Sequence, residues 1–183
     1  LGIARRQGDR VEMRVHPTLI PEQKQLANVD GVLNAIMIKG DAVGELVLVG
    51  PGAGGAATAS AVCADLADIA RTAAGSGPAL GEPMGQLKSQ TMVPADDIES
   101  EWYVRLAASD CAGVMSDITQ VLANHDVSIE SLLQNPPRED QTTVSIVLLT
   151  QVASASVMTA VMQEITALTE VEKEFTLLRV EAF

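Results

Sequence analysis

Between Trp102 and Val180 the hydrophobic pattern alternates between a period of two and a period near that of a helix, and the order of the alternation constrains the fold more than any other feature. Trp102–Ala108, Val127–Leu133, Thr142–Leu149 and Val171–Val180 are rich in aliphatic and β-branched residues and read as strands. Two helices are predicted, over 113–124 with Val114, Ile118, Val121 and Leu122 on one face, and over 154–168 with Val157, Val161, Ile165 and Leu168 on one face. Asn135–Gln141 reads as a loop. The order βαββαβ is the ferredoxin-like split βαβ, whose helices both cover one face of a four-stranded antiparallel sheet. The other face needs its own cover, which favours pairing with a second copy.

Residues 1–50 are strand-rich. Leu1–Arg6 and Val11–Val15 flank a turn at Gln7-Gly8-Asp9, and Gly31–Lys39 and Glu45–Val49 flank Gly40-Asp41, which predicts two hairpins. His16–Pro21 reads as an extended connector and Glu22–Ala27 as a short helical turn. An apolar strand then runs into Gly50-Pro51-Gly52-Ala53-Gly54-Gly55 and a small-residue helix over 56–73, with Val62, Leu66 and Ile69 on one face and enough alanine to pack closely against another element. Such a turn leaves backbone N–H groups open at the positive end of a helix. Gly50, Gly52 and Gly55 satisfy the G-x-G-x-x-G spacing of dinucleotide sites. The rest of that unit is missing, because Thr72-Ala73-Ala74-Gly75-Ser76-Gly77-Pro78 follows the helix instead of a strand ending in an acid, and no Gly-Lys-Ser/Thr follows the turn. The glycines therefore read either as a pyrophosphate cradle or as a tight structural turn. Residues 74–100 are rich in Gly, Pro, Ser and acids and read as a linker, which divides the chain into 1–73, 74–100 and 101–183.

Composition narrows the function. A formal charge of −12 with one Trp, one Tyr and two Phe in 183 residues argues against nucleic acid, which requires clustered cations or stacking platforms, and against anionic membranes. Small-molecule ligands and protein partners remain. Cys63 and Cys111 lack metal-site spacing and read as buried thiols in a reducing compartment, the cytoplasm; no apolar run is long enough to span a membrane. The chain opens on Leu1, inside an apparent strand, and is expected to be a fragment. His16 and His125 have no Cys or Ser partner at a catalytic spacing, and His125 follows Asn124 at a helix end, where an αL Asn and a nearby cation are ordinary capping choices. Glu170, Glu172 and Glu174 alternate along a strand and read as a solvated face, not a metal site. Arg5, Arg6, Arg10 and Arg14 interleave with Asp9 and Glu12, which fits cross-strand pairing in the first hairpin.

Two resemblances add to this reading. Tyr103–Leu106, the turn Ser109-Asp110-Cys111-Ala112-Gly113-Val114-Met115 and Val127–Gln134 resemble the ACT domain, a small amino-acid-sensing regulatory module. The resemblance implies that Gly113 admits an amino acid to the helix N-terminus, that Asp110 takes its ammonium group, and that Ser128 and Ile129 contribute, often across a subunit interface. Asp110 serves equally as a helix N-cap and Gly113 as a permissive turn residue. Ala112 stands where many ACT domains have Pro, a helix-entry residue whose loss need not disturb binding.

Residues 1–73 resemble the end of the catalytic domain of homoserine dehydrogenase, on Val29–Ile36, Gly50–Gly54, Thr58–Val62 and Asp65-Leu66; Asp97-Ile98-Glu99-Ser100 before an ACT domain completes the order. The resemblance implies an α+β fold. It also implies NAD- or NADP-dependent interconversion of L-homoserine and L-aspartate 4-semialdehyde in threonine, methionine and isoleucine biosynthesis, with feedback by an amino acid, threonine first, and a homodimer or homotetramer. Gly54, with Gly52, Ala53, Pro51 and Thr58, is implied to close over the nicotinamide end of the cofactor. The Rossmann domain and the catalytic lysine precede this region in the family, so these 183 residues alone are expected to be inactive. The alternative is a non-catalytic amino-acid-binding and dimerisation module.

Overall fold

The computed structural model of the chain describes residues 1–73, 88–135 and 142–183. In chain order the elements are β1 (Gly2–Gln7), β2 (Arg10–Val15), β3 (Thr18–Leu19), β4 (Leu33–Gly40), β5 (Gly44–Pro51), α1 (Gly55–Ala73), β6 (Thr91–Met92), β7 (Glu99–Ser109), α2 (Val114–Asn124), β8 (Ile129–Asn135), β9 (Thr143–Ser154), α3 (Ala155–Ile165) and β10 (Val171–Val180). They form two compact units, Leu1–Ile20 with Gln90–Phe183, and Pro21–Ser89.

The larger unit contains the expected ferredoxin-like arrangement. Its sheet runs β10-β7-β9-β8, all antiparallel, with α2 and α3 packed on one face. Alternation along β7 sends Trp102, Val104, Leu106 and Ala108 to the helices, and Val144, Ile146 and Leu148 on β9 point the same way. Val114, Ile118, Val121 and Leu122 of α2 are buried as a stripe. On α3 the stripe is wider than expected, because Met158 and Met162 are buried beside Val161 and Ile165, while Val157 and Leu168 sit at the edge of the core. Methionine fits such irregular gaps. On the opposite face, Tyr103, Leu149, Val147 and Leu178 lie side by side and are half-buried.

Several boundaries fall elsewhere than composition placed them. The connector at 16–21 is not free, since Thr18 and Leu19 pair in parallel with Arg179 and Val180 and make β3 a fifth strand. Part of the expected 74–100 linker is structured: β6 pairs in parallel with β2, a 3-10 turn spans Ala95–Asp97, and Val93, Ile98 and Ser100 are buried. Both strands have two residues, too few for any periodicity to register. The stretch 74–87 and residues 136–141 of the expected Asn135–Gln141 loop lie outside the described residues, and Asn135 itself ends β8. Residues 1–20 thus join the unit that holds the βαββαβ sequence, and 1–73 is not one compact body.

In the smaller unit β4 and β5 form the expected hairpin, from Leu33 opposite Pro51 to Gly40 opposite Gly44, and the chain passes from β5 through Gly52–Gly54 into α1. The apolar face of α1 is present, but Val62, Leu66 and Ile69 are more than half exposed, so these residues supply no cover for it. Cys63 on the same helix and Cys111 after β7 are exposed free thiols, which corrects the expectation that both are buried. No helix among the described residues is long and apolar enough to cross a membrane.

Ile118, fully buried between α2 and the sheet, tests the core. Ile118→Ala is expected to lower unfolding stability by about 2–5 kcal/mol, read as a lower urea midpoint at unchanged slope.

Candidate functional site

At the end of β7 the chain turns through Asp110-Cys111-Ala112-Gly113 into α2. Gly113 occupies the N-cap position at φ +103°, a conformation side chains resist, and a Cβ there would meet nothing within 4 Å. The space in front of the helix is open. No side chain caps α2, so the expected alternative role of Asp110 as N-cap is not the one it plays. The Asp110 backbone N–H donates to the Thr142 carbonyl at 3.4 Å, while its exposed carboxylate has no hydrogen-bond or ion partner among the described residues. A carboxylate with no partner among the described residues thus precedes a helix end with no side-chain cap, a pairing that can meet the ammonium and carboxylate of one zwitterion.

Ser128 and Ile129 are not brought to this turn. Ile129 lies opposite Thr150 on β9, as Trp102 does, whereas Ser109 lies opposite Thr143, seven positions along. At about 3.3 Å per residue that separates the two pairs by roughly 20 Å within one chain. Ser128 is exposed and its carbonyl accepts from the Gln151 N–H at 2.8 Å.

The glycine turn of the smaller unit is a second candidate. Gly52 donates its N–H to the Val32 carbonyl at 2.8 Å, and a Cβ on Gly52 would fall on the Asn34 side chain. Gly54 stands at φ +119° with open space where a Cβ would point, and its carbonyl accepts the Thr58 N–H at 3.0 Å to start α1. Gly50 and Gly55 have neither constraint. The glycines the backbone requires are therefore Gly52 and Gly54, not the set that matches the fingerprint spacing. Pro51, Gly52, Ala53, Gly54 and Thr58 are all exposed along this turn.

A third cluster was legible in the sequence only in its hairpin residues, Arg5, Glu12 and Arg14. Glu181, 5% exposed, accepts from both Arg5 and Arg14; Arg14, 4% exposed, also reaches Glu12, which is 1% exposed. Gln7 donates to Glu12 at 2.8 Å, and Arg179 donates to Ser100 Oγ at 3.0 Å while stacking 4.3 Å above the Trp102 ring. Arg14 and Glu181 are 167 residues apart, so only folding reveals the pairing. The arginines do pair, but not across the hairpin as expected: Arg14 meets Glu12 on its own strand, Arg10 meets Asp97, and Arg5 and Arg14 both meet Glu181. His16 Nε2 lies 2.9 Å from Arg14 Nη1, a contact that calls for neutral imidazole as acceptor. Burial, then the Arg14 and Arg179 guanidiniums, hold His16 below its ordinary pKa.

His125 caps α2 and its Nε2 lies 2.9 Å from Glu164. The positive-φ residue at this helix end is Asp126, at φ 56°, and not Asn124 as expected.

Fold and turn together define a protein carrying a ferredoxin-like regulatory module of the ACT class. The comparisons agree: residues 103–170 match the ACT domain family model, and residues 1–67 match that of homoserine dehydrogenase. Homoserine dehydrogenase of Neisseria gonorrhoeae is 45% identical over all of this chain and 42% of its own length, and that of Pseudomonas aeruginosa is 40% identical over 82% of this chain and 36% of its own. A crystal structure of homoserine dehydrogenase from Thiobacillus denitrificans superposes with a TM-score of 0.87 at 40% identity, covering 99% of this chain and 41% of that one. The chain belongs to the homoserine dehydrogenase family and spans about two fifths of the length of these relatives.

Two measurements check the local geometry. Gly54→Ala is expected to cost about 1–3 kcal/mol of stability through its positive φ, whereas Gly50→Ala should stay within about 0.5 kcal/mol; equal effects in chemical denaturation would contradict the assignment. For His16, the unfolded chain takes up its proton near pH 6.5 and the folded chain only at lower pH, so its contribution is complete above pH 6.5 and is lost as pH falls through the folded value. His16→Gln, a neutral acceptor facing Arg14, Arg179 and Glu181, should flatten the stability profile just below pH 6.5, measured by denaturation at stepped pH.

Proposed function

We propose that the chain is the C-terminal part of an NAD(P)-dependent homoserine dehydrogenase, which interconverts L-homoserine and L-aspartate 4-semialdehyde on the route to threonine, methionine and isoleucine in the cytoplasm. The observation that carries this reading is order on one chain: a homoserine dehydrogenase match over 1–67 followed by an ACT match over 103–170, as in relatives aligned across both. The glycine turn fits a cofactor wall, because Gly52 and Gly54 bring backbone with no side chain to its surface. Pro51, Gly52, Ala53, Gly54 and Thr58 would line the nicotinamide end. Bound NAD or NADP supplies the hydride acceptor; the turn contributes close backbone approach and exclusion of water.

In this reading the ACT domain senses an end-product amino acid, threonine first. Asp110 takes the ammonium group and the N-terminus of α2, opened by Gly113, takes the carboxylate. Ser128 and Ile129, roughly 20 Å away in the same chain, would join that site from a second copy, which accords with a homodimer or homotetramer.

Calorimetric titration of the 183-residue chain with threonine, isoleucine, methionine and lysine tests the sensor. Saturable heat with threonine is expected, and Asp110→Ala, which removes a charged hydrogen bond, should weaken binding by about 10-fold or more. No heat with any of the four would overturn the sensing role.

A further inference from the structure

Residues 1–20 fall within the homoserine dehydrogenase match, yet they are built onto the sheet that carries the ACT match. Both stems of the smaller unit start from there. The outgoing stem is β3, laid against β10, with the Glu181 N–H donating to the Leu19 carbonyl at 2.9 Å. The returning stem is β6, laid against β2, with the Val93 N–H donating to the Val11 carbonyl at 2.9 Å.

Two-residue strands hold little by themselves. What fixes them is the charge cluster between the hairpin and the end of β10: Glu181 bridging Arg5 and Arg14, Arg14 on Glu12, and Ser100 beneath both Arg14 and Arg179. Glu181 is satisfied only while the hairpin is seated, because both of its cations, Arg5 and Arg14, come from the hairpin. Lifting it would strand the buried Glu181 on the sheet without a counter-charge, while Arg14 kept only Glu12 as its counter-charge and lost Glu181 and Ser100, so intermediate positions are disfavoured and the seating is discrete.

We propose that this cluster makes residues 1–20 and the ACT sheet one cooperative unit, so that the two stems of residues 21–89 are held or released together with the state of the regulatory sheet. Its regulatory meaning rests on the ACT reading above. The coupling itself is a property of the fold.

Native-state hydrogen exchange on the 183-residue chain tests it by two reciprocal perturbations. Ile146→Val loosens β9, away from the cluster, and should lower protection of the Val104 amide about 2- to 10-fold. If the unit is cooperative, the stem amides of Val93 and Glu181 fall by the same factor. If they stay unchanged while Val104 falls, the hairpin opens by itself and the proposal is overturned. In the other direction, Glu181→Gln should lower protection of Val104, far from the substitution, on the order of 100-fold. An unchanged Val104 would overturn it. Arg5→Gln removes only the half-exposed arm and gives the same readout at smaller amplitude if Glu181→Gln does not fold. No amino acid enters the measurement, so a failed threonine titration would remove the sensing role and leave the coupling standing.

Discussion

Glu181 is the residue on which the arrangement of the larger unit turns. A carboxylate buried at the end of a sheet is costly unless cations meet it, and here the cations come from the far end of the chain. Apolar contact alone would let a short hairpin slip along a sheet edge. Two guanidiniums on one carboxylate fix its position, because each bond has a direction as well as an energy. Arg179 extends the same network to Ser100, the Ile98 carbonyl and the Trp102 ring, so the start of β7, the end of β10 and the hairpin share one set of partners. One face of the buried Trp102 ring is covered by that cation, and a large aromatic at the start of the core strand is thereby accounted for.

Legibility in the sequence followed the range of the interactions responsible. The βαββαβ order was readable because each element announces itself within a dozen residues, through alternation on β7 and β9 and helical stripes on α2 and α3. Met158 and Met162 escaped the stripe because methionine is less diagnostic of a core than Val or Ile. The strands β3 and β6 escaped because two residues have no period, and they depend on partners more than 75 residues away along the chain. The arginine cluster was readable as hairpin pairing only, since nothing local to Glu181 marks it as the missing counter-charge. The thiols escaped for a different reason: burial of Cys63 requires a surface for α1 to lie on, and helix composition says only that such a surface is wanted.

The candidate sites were readable in type more than in assembly. Asp110 and Gly113 were found as a turn, and the structure separates them from Ser128 and Ile129 by the length of a strand. The separation follows from topology, not from sequence spacing: β7 and β8 run parallel to each other with β9 between them, and their starts therefore lie at the same end of the sheet. A residue after the end of β7 and one before the start of β8 must then be far apart in any ferredoxin-like sheet.

The three helices differ in how they begin, and the difference separates candidate sites from scaffold. α3 starts at Ser154, whose Oγ accepts the Val157 N–H at 3.3 Å, so its first turn is satisfied from within. α2 starts after Gly113 at φ +103° with no side-chain cap, and α1 starts after Gly54 at φ +119°. A glycine at such an angle carries an entropic cost that a serine cap would avoid. It leaves the helix end open to approach without a side chain in the way. Gly54 and Gly113 are therefore alike in backbone geometry, and under the proposed reading a flat cofactor ring would approach the first and a charged amino acid the second. Of the glycines in this turn, the backbone angle at Gly54 and the close approach of Asn34 at Gly52 mark the two that the local structure requires.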